Sequence, residues 1–169
     1  MAVEQQTAAT SPSIITLAEM RALVGKPLGR SPWMLVGQPR IDAFAEVTED
    51  RQFIHVNPER AKAETPFGGT VAHGFLTLSL LVRMAEFTVP RLVGAPPVIN
   101  FGLDKMRFLM PVKAGQKVRG RFNLAELNER TPGQIRFRYS VAVEIEGEER
   151  KALVAHWLTM VLTDSKAFL

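Results

Sequence analysis

From about His73 onward the chain is apolar at almost every angular position of a helix. Phe75, Leu76, Leu78, Leu80, Leu81, Val82, Met84, Ala85 and Phe87 follow one another, and Pro90 closes the run. A helix without a polar face is one that the rest of the protein surrounds. The last third of the chain changes period. In "VRGRFNL" Val118, Phe122 and Leu124 share one face, with Lys117, Arg119 and Arg121 on the other. "IRFRYSVAVEIE" alternates more strictly, placing Ile135, Phe137, Tyr139, Val141, Val143 and Ile145 together. "LVAHWLTMVL" is apolar on both faces and predicts a central strand. "NERTPGQ" and "EGEER" supply the turns, and "VINFGLDKMRF" predicts a further strand. Three or four antiparallel strands with one apolar face, preceded by one hydrophobic helix, are buried most economically by a curved sheet wrapped around that helix. The class is α+β.

The first half predicts smaller pieces. "TLAEMRALVG" reads as a short helix with Thr16 as N-cap, Glu19 three residues on, and Gly25 as its stop. A short strand is expected around Trp33–Val36. "QPRIDAFAEVT" carries Ile41, Phe44, Ala45 and Thr48 at helical spacing, and Pro58 starts one further turn in "PERAKAE". Residues 1–13 are small and polar and are expected to form a flexible tail, leaving one domain over residues 14–169.

Composition narrows the chemistry. Cys is absent, which excludes disulfides, a thiol nucleophile and thiolate metal sites. The N-terminus lacks a basic region of the secretory type, and the longest apolar run, "FLTLSLLV", is too short to span a bilayer. A cytoplasmic protein without a membrane partner is expected. The net charge is +4, and residues 105–121 hold six Lys or Arg and no acid. Such a run either attracts phosphates or is simply a solvated strand face. With no P-loop, zinc-ligand spacing or aromatic RNA-binding motif, nucleic acid is not an expected partner.

The chain has three histidines, and one stands in "TEDRQFIHVNPERA", where Asp50 precedes His55 by five residues in what reads as a polar turn. An Asp and a His here could be a cap and an ordinary loop residue. They could also be an acid–base pair. Together with "PFGGTVAHGFLTLSLL" and "INFGLDKMRFLMPVKAG", this stretch resembles the MaoC-like dehydratase family, the (R)-specific enoyl-CoA hydratases, with wording most similar to the nodulation protein N-like subgroup. The resemblance runs from about residue 38 onward.

The resemblance implies a hot-dog fold and reversible syn hydration of trans-2-enoyl thioesters, carried by CoA or acyl-carrier protein, to (R)-3-hydroxyacyl thioesters. It implies a homodimer, with neither a metal nor an organic cofactor of the protein's own. Asp50 and His55 would form the catalytic pair around one water. Gly74, at the start of the buried helix, would offer its N–H to the developing enolate oxygen, aided by the helix dipole. His73 either donates to substrate or packs locally. Asn100 and Gly102 would line the thioester slot, while Phe53, Phe75 and Leu76 would line the acyl pocket. His156 reads as structural. The sequence departs from the family pattern at Glu49, where relatives carry Gly before the Asp; a positive φ there would strain Glu. Two other readings of the same fold are a hot-dog acyl-CoA thioesterase and a non-catalytic acyl-thioester-binding module.

Overall fold

The computed structural model describes residues 12–94 and 96–163. The expected tail over residues 1–13 therefore lies outside the described residues, apart from Pro12 and Ser13. Strand β1 (Ile14–Ile15) leads into helix α1 (Leu17–Arg21). Thr16 caps α1 as expected: its hydroxyl accepts from the Glu19 amide at 3.2 Å, and the Glu19 carboxylate accepts from the Thr16 amide at 2.7 Å. Strands β2 (Pro27–Arg30) and β3 (Met34–Val36) follow. Helix α2 (Gln38–Thr48) buries Ile41 and Ala45, two of the positions its periodicity singled out. Then come α3 (Phe53–Val56) and α4 (Pro58–Glu64), the latter capped by the Asn57 side chain accepting from the Arg60 amide at 3.0 Å.

The long helix is α5 (Gly74–Ala85), followed by β4 (Arg91–Leu92), β5 (Val98–Phe108), β6 (Gln116–Thr131), β7 (Gln134–Ile145) and β8 (Leu153–Leu162). The main sheet is antiparallel, in the order β2-β6-β7-β8-β5, and β3 also pairs with β6. Its core face presents Phe122, Leu124, Ile135, Phe137, Val143 and Leu153 to Leu76, Leu81 and Met84 of α5. Close approach at this seam depends on Gly120. A Cβ there would lie 2.6 Å from Phe122 Cε2 and 3.0 Å from both Met84 Cβ and Sδ. β8 sits between β7 and β5, as its two apolar faces require. β1 and β4 form a small parallel pair that the hydrophobic pattern did not predict.

One expectation needs correction. Helix α5 is not covered on every side within the single chain. The sheet takes Leu76, Thr77, Leu81 and Met84, whereas Phe75 is 66% and Val82 45% exposed. One sheet reaches only one side of a helix, so Leu78, Leu80 and Ala85 are partly covered and Phe75 and Val82 face outward.

Candidate functional site

The site is assembled where α2, α3 and the segment leading into α5 meet. Helix α2 ends at Glu49, whose backbone is left-handed at φ +60°, ψ +11°. That turn throws Asp50 to the surface and lets the chain re-enter as α3. His55 is therefore not in a loop, as the sequence suggested, but in a four-residue helix. It is 7% exposed. A run this short has no periodicity to betray it.

Two backbone contacts tie α3 to the segment before α5. The Val71 amide donates to the Ile54 carbonyl at 3.0 Å, and His55 Nδ1 donates to the Val71 carbonyl at 2.6 Å. The second bond fixes the tautomer: Nδ1 carries the proton and Nε2 keeps its lone pair. Gln38 supports the arrangement from α2. Its amide donates to the His55 carbonyl and to Asp42 Oδ1, both at 2.7 Å, while its carbonyl accepts from the Thr70 hydroxyl. Burial lowers the pKa of His55 below its ordinary value; nearby His73 adds to this, while the Val71 carbonyl and Asp50 oppose it. The ring is thus a neutral base near neutral pH.

His73 does more than fill space. It is 3% exposed and stacks on His55 with ring centroids 3.7 Å apart. Its Nε2 donates to the Asp50 carbonyl at 2.9 Å and lies 4.0 Å from Asp50 Oδ2. His73 therefore fixes the turn that carries Asp50 and walls the ring of His55. Its Nδ1 is buried without a partner among the described residues. The ligand atoms of Asp50, His55 and His73 lie within 4.8 Å of one another. One water molecule with hydrogen bonds of about 2.8 Å spans such a gap. The spacing would also admit a metal ion, although each ring already commits one nitrogen to a backbone carbonyl.

Gly74 opens α5 immediately beyond His73. The His73 side chain makes no capping hydrogen bond, so the first-turn amides lack a side-chain acceptor. The Phe108 ring lies against Gly74, and a Cβ there would approach it to 2.9–3.0 Å. Glycine is needed for this close packing.

The other expected site residues lie elsewhere. Phe53 is covered by the Arg60 guanidinium, 4.0 Å from the ring centroid. Phe75 meets Phe108 edge to face at 5.9 Å, and Leu76 belongs to the closed core. Asn100 and Gly102 lie on β5, eight and six residues from Phe108. At strand spacing Asn100 and Gly102 lie roughly 26 and 20 Å along β5 from Phe108. Asn100 accepts from the Trp157 indole at 3.2 Å. An apolar cavity of about 360 Å³ lies toward the other end of α5, where Val82, Ala85, Met20, Tyr139 and Trp157 help line it. It is built from scattered segments and had no signal in any single stretch of sequence.

Comparison with known proteins agrees with this architecture. The MaoC like domain model matches residues 19–145, a span that includes Asp50, His55, His73 and Gly74. Nodulation protein N of Rhizobium leguminosarum bv. viciae is 49% identical over 150 residues, covering 89% of this chain and 93% of that protein. 3-hydroxyacyl-thioester dehydratase Z of Mycobacterium tuberculosis is 41% identical over 142 residues, covering 83% of this chain and 91% of its own length. Among solved structures, the MaoC-like dehydratase from Rhodospirillum rubrum superposes with a TM-score of 0.71 at 18% identity, covering 88% of this chain and 97% of that one. The helix within its curved antiparallel sheet is the hot-dog fold of these neighbours. A domain match over most of the chain, joined to relatives aligned over nearly their full lengths, places this chain in the MaoC-like dehydratase family.

Proposed function

We propose that this chain catalyses reversible syn hydration of trans-2-enoyl thioesters to (R)-3-hydroxyacyl thioesters, the acyl group being carried by CoA or an acyl-carrier protein. The observation that supports this most strongly is His55: buried, fixed by its bond to the Val71 carbonyl, and left with a free Nε2 beside Asp50. A water held between His55 and Asp50 loses its proton to the pair as its oxygen bonds to C3. The electron pair of the double bond moves toward the thioester carbonyl, and an enolate forms. The Gly74 amide at the start of α5 stabilises that oxyanion. The pair then returns a proton to C2 on the same face. Two hydrogens and one oxygen are added, and the reverse sequence is dehydration. The acyl tail has the cavity beside Val82 and Ala85 available to it.

We further propose a homodimer in a cytoplasmic setting, requiring no metal or organic cofactor of its own. Among the described residues strand β5 is a sheet edge that exposes Val98, Phe101, Leu103 and Phe108, and exposed Phe75 and Val82 add apolar surface on α5. Such a surface calls for a partner. Among the described residues no helix is long and apolar enough to cross a membrane.

The test is hydration of crotonyl-CoA, followed as loss of enoyl absorbance, in wild type, Asp50→Asn and His55→Ala. Turnover by wild type and a fall of about a hundredfold or more in both variants is the expected result for loss of a positioned acid–base group. Release of free thiol without hydration would replace this reading with a thioesterase. Tight binding without either reaction would leave a binding module.

A further inference from the structure

The basic run that stood out in the sequence has a use on the side of the sheet away from α5. Side chains alternate along a strand, so Arg121 and Asn123 of β6, Ser140 and Ala142 of β7, and Val154 and His156 of β8 all point away from the core. The register sets Asn123, Ser140, His156 and Asp104 in one line across four strands. Beside that line the outer face is not flat. A depression of about 240 Å³ is floored by small residues such as Ala142 and Val154, with Lys105 on one side and Arg121 on the other. β5 and β6 are three strand spacings apart, about 14 Å, so two cations separated in sequence flank one hollow.

The backbone is bent to make this so. Lys105 has φ +50° and lies in the bulge of β5 between Asp104 and Arg107. Left-handed backbone is unfavourable for lysine by about 1–2 kcal/mol. Bulges of this kind re-aim a side chain. Here the re-aimed ammonium lines the hollow.

The charges around the hollow are paired, and those lining it are not. Arg119 meets Glu144 at 2.8 Å, Lys117 meets Glu146 at 3.6 Å, and Arg138 neutralises Asp104 at 3.1 Å. By contrast, the side chains of Lys105, Arg121, Asn123, Ser140 and His156 make no hydrogen bond or ion pair with any described residue. Two free cations and three further polar groups therefore converge on one concavity. A phosphate group, with several acceptor oxygens and negative charge, satisfies such a set.

We propose that this hollow is an anion site for an organic phosphate, separate from the Asp50–His55 centre. The site depends on nothing catalytic, so its failure and the failure of the hydratase reading are read by different experiments.

Isothermal titration with inorganic pyrophosphate at low salt tests it. Lys105→Ala and Arg121→Ala should each weaken binding about tenfold, the worth of one charge-assisted hydrogen bond, and the double variant should abolish it. Arg40→Ala removes the same charge from helix α2, which contributes no residue to the hollow, and should leave binding unchanged. Thermal melts of the variants establish that they are folded. CoA that competes with pyrophosphate on the wild type assigns the site to the substrate's own diphosphate. CoA that does not compete assigns it to a free phosphate compound. No binding of pyrophosphate by the wild type, or equal weakening by Arg40→Ala, overturns the proposal and leaves a solvated basic face.

Discussion

Glu49 offers a sharp test of how the site turn is built. It ends α2 in the left-handed region, at φ +60° and ψ +11°, where a Cβ crowds the following carbonyl. That conformation is unfavourable for an L-residue by about 1–2 kcal/mol. The Glu49 side chain is exposed and makes no hydrogen bond or ion pair with a described residue, so replacing it removes no contact. Glu49→Gly relieves the strain but loosens the unfolded chain, a cost of about 0.4–1 kcal/mol. The net expectation is a stabilisation of about 0.5–1 kcal/mol, or about 1–4 °C in Tm for a chain of this size. Urea and thermal unfolding of wild type, Glu49→Gly and Glu49→Ala measure it. Alanine keeps the Cβ and should gain nothing. Hydratase activity should stay within about twofold, because the Asp50 carbonyl remains held by His73. Equal stabilisation by Ala and Gly would show that charge or solvation, not backbone strain, was relieved. Destabilisation by Gly would refute the strain argument outright.

The depressed pKa of His55 predicts that kcat/KM for hydration stays level below pH 6.5, where an ordinary imidazole would already be protonated, and falls only at more acidic pH. The same shift makes a sign prediction for stability: the unfolded histidine takes up its proton first, so this contribution is full above about pH 6.5 and is lost as pH drops toward the folded pKa, measurable by urea unfolding across that range. Gly120→Ala should destabilise the fold by about 1–3 kcal/mol, since its Cβ would collide with Phe122 and Met84, and denaturant titration would show it. Ala85→Phe should fill the cavity at the far end of α5, lowering kcat/KM for long-chain enoyl thioesters at least about tenfold while sparing crotonyl-CoA, a difference seen in a chain-length series.

Periodicity made the large elements legible. The alternation from Ile135 to Ile145 became β7 with all six expected residues buried, and the capping box at Thr16 formed as its side-chain chemistry requires. Asp50 and His55 were singled out through the family resemblance, and the fold brings their side chains close together. What fixes His55 was not legible. Val71 acts through its carbonyl, which every residue has, and no sequence pattern marks a carbonyl as chosen. His73 was visible as a candidate, but its stacking on His55 depends on the tertiary meeting of α3 and α5. Asn100 was visible as a polar strand residue, but its contact with the Trp157 indole depends on the pairing of β5 with β8. The covering of α5 was overread because hydrophobicity says that a face avoids water, not whether its own chain supplies the cover.

The double tie between α3 and Val71 also governs how the protein can vary in length. It pins the chain at Ile54–His55 and again at Val71, with residues between them forming a closed excursion. Within that excursion α4 is held by buried Ala61, but Gly68 and Gly69 have open space where a side chain would stand. Lengthening a loop whose ends are already pinned costs only about 0.6 kcal/mol per doubling. Insertions at Gly68–Gly69 can therefore change the rim beside the site while leaving the spacing of His55 and the start of α5 intact. Any indel between Glu49 and His55 has no such freedom, because it would shift Asp50 relative to the buried His55 and His73 rings beside it.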